Sequence, residues 1–226
     1  MKQIVSVLLS ILVCVSLYAQ KDVTKFLGFP VDGSKSELIS KLKTKGFKVN
    51  KVGDDNMLTG RFNGTDVHIF ISTENGKVCR VTVCDENSVN ETDIKIRFNK
   101  LCNQFANNGK YVSLEDYTIS DDEDLSYEMT VHSKRYEAQF YQLPEGNAKE
   151  DIMGSILQSI QAKYNADEIE NASDEIKSQI FIEVATEFIH SISHKPVWFM
   201  ISEHYGKYYI SMFYDNELNR PNGEDL

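Results

Sequence analysis

No CxxC pair, no Lys/Arg block, no phosphate-binding glycine loop and no apolar stretch of bilayer-spanning length occurs in this 226-residue chain. Without a CxxC, thiol-redox catalysis has no support. A net charge of −10 with no local basic cluster repels phosphates and anionic lipid surfaces, so nucleic-acid binding is excluded as an expectation. The GxSxG elbow, the Walker loop, GxGxxG after a strand and HExxH are all missing, and with them the nucleotide cofactors and commonest hydrolytic sites that such motifs announce. No cofactor is expected.

What is present begins with an address. Lys2 precedes a run from Ile4 to Val15 broken only by Ser6, Ser10 and Cys14, and Ser16-Leu17-Tyr18-Ala19 ends in a small residue before Gln20. The apolar core of roughly 12 residues is short of the ~20 that span a bilayer, and no stop-transfer pattern follows. Residues 1–19 therefore read as a secretory signal peptide, and a periplasmic or secreted chain without a transmembrane segment is expected. Cys14 follows Val13, where a lipoprotein peptidase requires Gly, Ala or Ser, which argues against lipidation. Losing Lys2 with the leader moves the net charge from −10 to −11.

Cys79, Cys84 and Cys102 remain after export and are read as small buried hydrophobes, with a bridge from Cys102 to one of the others as the alternative.

Local patterns divide the rest. An arm, Lys21 to Val31, is followed by a helix from about Ser34 to Lys45, with Leu38, Ile39 and Leu42 on one face and Gly46 as its stop. Four strand-like runs follow: Phe47–Lys51, Met57–Phe62, Asp66–Ser72 and Lys77–Cys84. Asn63-Gly64 and Asn75-Gly76 suit tight type I′ hairpins, and Asp54-Asp55-Asn56 reads as a solvated turn. The plan then restarts. Glu91 to Asn107 forms a helix with Ile94, Phe98, Leu101, Cys102 and Phe105 on one side, and strands are expected at Tyr111–Ile119, Leu125–His132 and Tyr136–Leu143. Between the last strands lies a helical pair, Ile152 to Tyr164 and Asp174 onward. A hairpin closes the chain, Val197–Ser202 and Lys207–Tyr214.

The expected fold class is α+β: two related helix-plus-antiparallel-sheet units, residues 20–88 and 89–215. The second carries a two-helix insertion at about 145–195, and a polar tail occupies 216–226. Phe26-Leu27-Gly28-Phe29-Pro30-Val31-Asp32-Gly33-Ser34-Lys35-Ser36-Glu37-Leu38 with Lys45-Gly46-Phe47, and the ending Tyr214-Asp215-Asn216-Glu217 with Asn222-Gly223-Glu224-Asp225-Leu226, resemble uncharacterised secreted proteins of gut Gram-negative anaerobes. That group implies no activity. Helix, glycine, then hairpins is also similar to the repeats of beta-lactamase-inhibitor protein and of small outer-membrane assembly lipoproteins, which implies a binding module.

Three groups invite a chemical reading. At 100° per residue, Glu183, Glu187, His190 and His194 fall within about 60° on one side of the last helix, a carboxylate and imidazole spacing that suits Zn²⁺. The same stripe is also what an amphipathic helix turns to solvent, because Ile180, Phe181, Val184, Ala185, Phe188, Ile189 and Ile192 occupy the other face. Asp121-Asp122-Glu123-Asp124 lacks the glycine and terminal glutamate of a Ca²⁺ loop and reads as a solvated turn between strands. The final hairpin concentrates Trp198, Phe199, Tyr205, Tyr208, Tyr209, Phe213 and Tyr214, of which Trp198, Tyr208, Tyr209 and Tyr214 are the candidate binding residues.

The functional expectation is an exported, non-enzymatic binding or protein-interaction module, its partner another envelope or extracellular protein or a glycan. The alternatives are a metal-dependent envelope hydrolase using Glu187, His190 and His194, and a carbohydrate-binding protein using the aromatic hairpin.

Overall fold

Ser34 accepts a hydrogen bond from the Glu37 amide and so starts helix α1, Lys35–Thr44, which buries Leu38 and Leu42. Asn90 does the same through the Asp93 amide for α2, Glu91–Ala106, and the buried face there is Ile94, Phe98, Leu101, Cys102 and Phe105, as its periodicity predicts. The computed structural model describes residues 22–220 except 53–54, 166–167 and 170; the expected leader with Cys14, Asp54 and tail residues 221–226 lie outside that set.

A two-residue hairpin, β1 (Lys25–Phe26) and β2 (Phe29–Pro30), forms the arm. The remaining strands are β3 (Lys48–Val52), β4 (Asp55–Phe62), β5 (Thr65–Glu74), β6 (Lys77–Asp85), β7 (Tyr111–Val112), β8 (Glu137–Gln142), β9 (Pro196–His204) and β10 (Lys207–Asp215). They form one antiparallel sheet in the order β3-β4-β5-β6-β10-β9-β8-β7. The fold is α+β. Both Asn-Gly pairs take positive φ at both residues, Asn63 49° with Gly64 81° and Asn75 49° with Gly76 77°, the geometry of a type I′ turn. Tyr205-Gly206 closes the β9–β10 hairpin in the same way, at 51° and 70°.

The two halves meet where β10 pairs with β6, from Ser211 opposite Cys84 to Asp215 opposite Arg80. One hydrophobic core runs beneath both, from Leu38 and Ile69 in the first half to Phe98, Phe140 and Phe199 in the second. Two carboxylates bind across this seam. Asp85 takes the Arg97 guanidinium of α2 and the Ile210 amide of β10, while Asp215 takes Arg80 of β6.

Two expected strands are corrected. Leu125–Val131 is helix α3, because Asp124 caps it through the Tyr127 amide and Leu125 with Met129, one turn apart, packs on the core. The acidic run before it is therefore a helix entry. Its chain is tied down by Lys95, which donates to the Asp121 and Glu123 carbonyls at 2.8 Å each, and by Glu123, which accepts from Tyr136 and Lys134. Of Tyr111–Ile119 only Tyr111–Val112 pairs in the sheet.

The inserted helices, α4 (Asn147–Lys163) and α5 (Asp174–Ile192), pack mainly on each other. Of the apolar stripe expected to be buried on α5, Ile192 is buried, Ile180, Val184, Ala185, Phe188 and Ile189 are half-buried, and Phe181 is 72 % exposed. Burial needs a second layer, and the two helices have chiefly each other to supply it. Among the described residues no helix is long and apolar enough to cross a membrane.

The three described cysteines are free. Burial raises every one of these thiols, Cys102 to about 12, so the thiolate that reacts is scarce at neutral pH. Ellman's reagent at pH 7.5 is expected to find less than one fast thiol in the native protein and all three after denaturation without reductant. One thiol on denaturation would instead reveal a disulfide.

Candidate functional site

Alternation along the central strands sends Tyr208, Ile210, Met212 and Tyr214 of β10 and Val197, Phe199 and Ile201 of β9 into the core under α2. On the opposite, open face the side chains stay partly exposed except Ser211 and Asp215, and the short helical turn Glu217–Asn219 stands beside β6 there. Residues of opposite parity line this face: Trp198, Met200 and Ser202 from β9, Tyr209, Ser211 and Phe213 from β10, Arg80, Thr82 and Cys84 from β6. This parity divides the four predicted binding residues. Trp198 and Tyr209 stand on the open face, whereas Tyr208 is 5 % and Tyr214 4 % exposed on the core side. Tyr208 and Tyr214 therefore stand on the core side and not on the open face, and the Tyr208 hydroxyl is held 2.6 Å from Ser126 Oγ. Aromatics occur at both parities of β10, so composition alone could not tell which set faces out.

At the centre of the open face Phe213 lies directly opposite Trp198, and their rings stack with centroids 4.0 Å apart and planes 19° apart. The Arg80 guanidinium covers the pair, 5.0 Å from the phenyl and 5.6 Å from the indole centroid. Arg80 is itself held by a forked ion pair: Nε donates to Asp215 Oδ1 at 2.5 Å and Nη2 to Oδ2 at 2.8 Å. The Trp198 indole N–H donates to the same carboxylate at 2.9 Å. Asp215, 1 % exposed, thus fixes both the cation and the ring.

Beside this cluster is a recess of about 320 Å³ bordered by Arg80, Arg135, Arg220 and Glu137. Arg135 pairs with Glu137 at 3.0 Å and Arg220 with Glu217 at 2.7 Å. Three of the five arginines in the chain gather here. Sequence reasoning named Phe213 in the aromatic hairpin without making it a candidate binding residue, and it missed Arg80 and Asp215. The signal that could have found them is the arginine inside the apolar run Val78-Cys79-Arg80-Val81, since a guanidinium in a central strand needs a carboxylate partner.

The predicted metal ligands are engaged separately. Glu183 accepts from Lys163 at 3.0 Å and Tyr164 at 3.2 Å, and Glu187 accepts from Ser159 at 2.6 Å, so both face α4 where solvent was expected. His190 is exposed, and the ring of His194, beyond the helix end, lies 2.6 Å from the Asp22 carbonyl oxygen. Among the described residues no group of three or more His, Cys, Asp or Glu could hold a metal ion.

No family model, curated protein or solved structure matches this chain. Function is therefore argued from the site's own geometry.

Proposed function

We propose that this chain is an exported, non-enzymatic interaction module that docks a protein partner of the envelope or extracellular space on the open face of its sheet. The observation that carries this reading is the partly exposed sheet face with the Trp198–Phe213 stack under Arg80 at its centre. Trp and Arg are the residues that most often dominate protein interfaces, and here both are held rigid before any partner arrives, which lowers the ordering cost of association.

A glycan is the weaker fit to the same residues. Sugars stack on open ring faces and bond to the polar tip of Trp, but one face of each ring is covered by the other and the indole N–H is already given to Asp215. A metal hydrolase is weaker still, because Glu183 and Glu187 are bound to α4 and His194 to the arm.

Photo-cross-linking tests the proposal. A benzoylphenylalanine at Gln139 on the open face is expected to capture one protein in the native envelope, and the same group at Ser40, exposed on α1, none. Trp198→Ala should cost that complex at least about 2 kcal/mol, a roughly thirtyfold loss. Equal capture from both positions, or glycan binding that Trp198→Ala abolishes, would sink it.

A further inference from the structure

On the opposite side of the sheet, between the arm and the C-terminal end of α2, lies a cavity of about 660 Å³. That is within the 300–1,000 Å³ typical of small-molecule sites. Its apolar wall comes from Leu27, Phe62, Phe105 and Met212. Four cations border it, Lys25, Arg61, Lys110 and Lys195, against the two acids Asp22 and Glu145. The lining thus carries a surplus of two positive charges in a chain of net −10.

Two of its polar side chains are more than nine-tenths buried. Lys195 is 1 % exposed, and its ammonium, with three N–H donors, has Asp22 as its one hydrogen-bond acceptor among the described residues. Tyr214 is 4 % exposed, and its hydroxyl makes no hydrogen bond among the described residues although it is not sealed from the cavity. The two are neighbours. Tyr214 pairs with Val197, two residues from Lys195, and beyond them the Glu217 amide donates to the His194 carbonyl. The sheet pairing is thereby prolonged, which places Lys195 at the diagonal position to Tyr214, where Cα atoms lie about 7–8 Å apart. Tyr111 adds a third polar group, its hydroxyl accepting from Gln142 Nε2 at 3.2 Å and keeping its own proton to donate.

We propose that this cavity binds a small carboxylic acid with an apolar body, the carboxylate held by Lys195 and Tyr214 and the body lying on Phe62, Phe105 and Met212. A neutral ligand would leave the surplus charge unanswered; a carboxylate answers it and accepts from both groups. Burial lowers the pKa of Lys195, so a second carboxylate offsets a desolvation that Asp22 answers alone. Burial also raises that of Tyr214, which keeps its hydroxyl a donor at neutral pH. The cavity and the open face lie on opposite sides of the sheet, and either assignment can fail without the other.

Titration calorimetry on the purified exported chain, with decanoate, 3-phenylpropionate and 1-decanol as probes, tests it. At least one acid is expected to bind at one per chain, with decanol tenfold or more weaker than decanoate. Tyr214→Phe removes only a hydroxyl without an internal partner; it should leave Tm unchanged and weaken the acid about three- to tenfold. Lys195→Met should weaken it by more than about tenfold. Failure of both acids to bind, decanol equal to decanoate, or wild-type affinity in a folded Tyr214→Phe would each overturn the proposal.

Discussion

Phe199→Ala is expected to lower stability by about 3–5 kcal/mol, the range for truncating a buried Phe. Its side chain is 0 % exposed at the middle of β9 and touches three other rings: Phe98 at 5.1 Å edge-on, Phe105 at 5.7 Å and Phe140 at 6.1 Å, both stacked. Those rings come from α2 and β8, so the cavity left behind would open between the helix and the sheet. Neither layer can move in to fill it, because β9 is hydrogen-bonded on both sides. For a chain of this size the loss corresponds to a fall in Tm of roughly 6–20 °C. A loss under 1 kcal/mol by urea denaturation would show that the aromatic layer does not carry the second half of the core.

Asp215→Ala is the second large effect, again about 3–5 kcal/mol, for a different reason. The mutation leaves the Arg80 guanidinium half-sunk beside two rings without its carboxylate, and a buried pair broken on one side costs more than the pair itself contributes. The indole N–H of Trp198 loses its acceptor at the same time. Because Arg80 is on β6 and Asp215 on β10, the damage falls on the seam that joins the halves. Arg80→Met with Asp215→Leu should recover most of the stability while still losing the partner on the open face, since packing is restored and the fixed cation is not. If the double variant is as unstable as Asp215→Ala, the pair acts by more than its charge, and the buried-ion explanation fails.

Much of the architecture was legible because its signals are local. Ser34 and Asn90 cap α1 and α2 through their own neighbours, and Asn63-Gly64 and Asn75-Gly76 turn on their own backbone preferences. Tyr127, Thr130 and Val131 favour a strand over Leu125–His132. Asp124 as a cap and the burial of Leu125 outweighed that preference. The stripe on α5 followed helical spacing faithfully, yet spacing says only that residues share a side. It could not say that Glu183 and Glu187 would face Lys163, Tyr164 and Ser159 on α4.

The open-face site shows the same division. Trp198 was singled out as one of many aromatics in the last hairpin, but its partners, Arg80 and Asp215, are 118 residues before it and 17 after it. By itself the sequence determined where α1, α2 and α5 begin and where the Asn-Gly hairpins turn, since each rests on residues within a turn or two of one another. Only the tertiary structure decided which parity of β9 and β10 faces out and that β6 and β10 join the halves. Those outcomes depend on pairing between distant segments, where a shift of one residue would exchange Trp198 and Phe213 for Phe199 and Tyr214 on the open face.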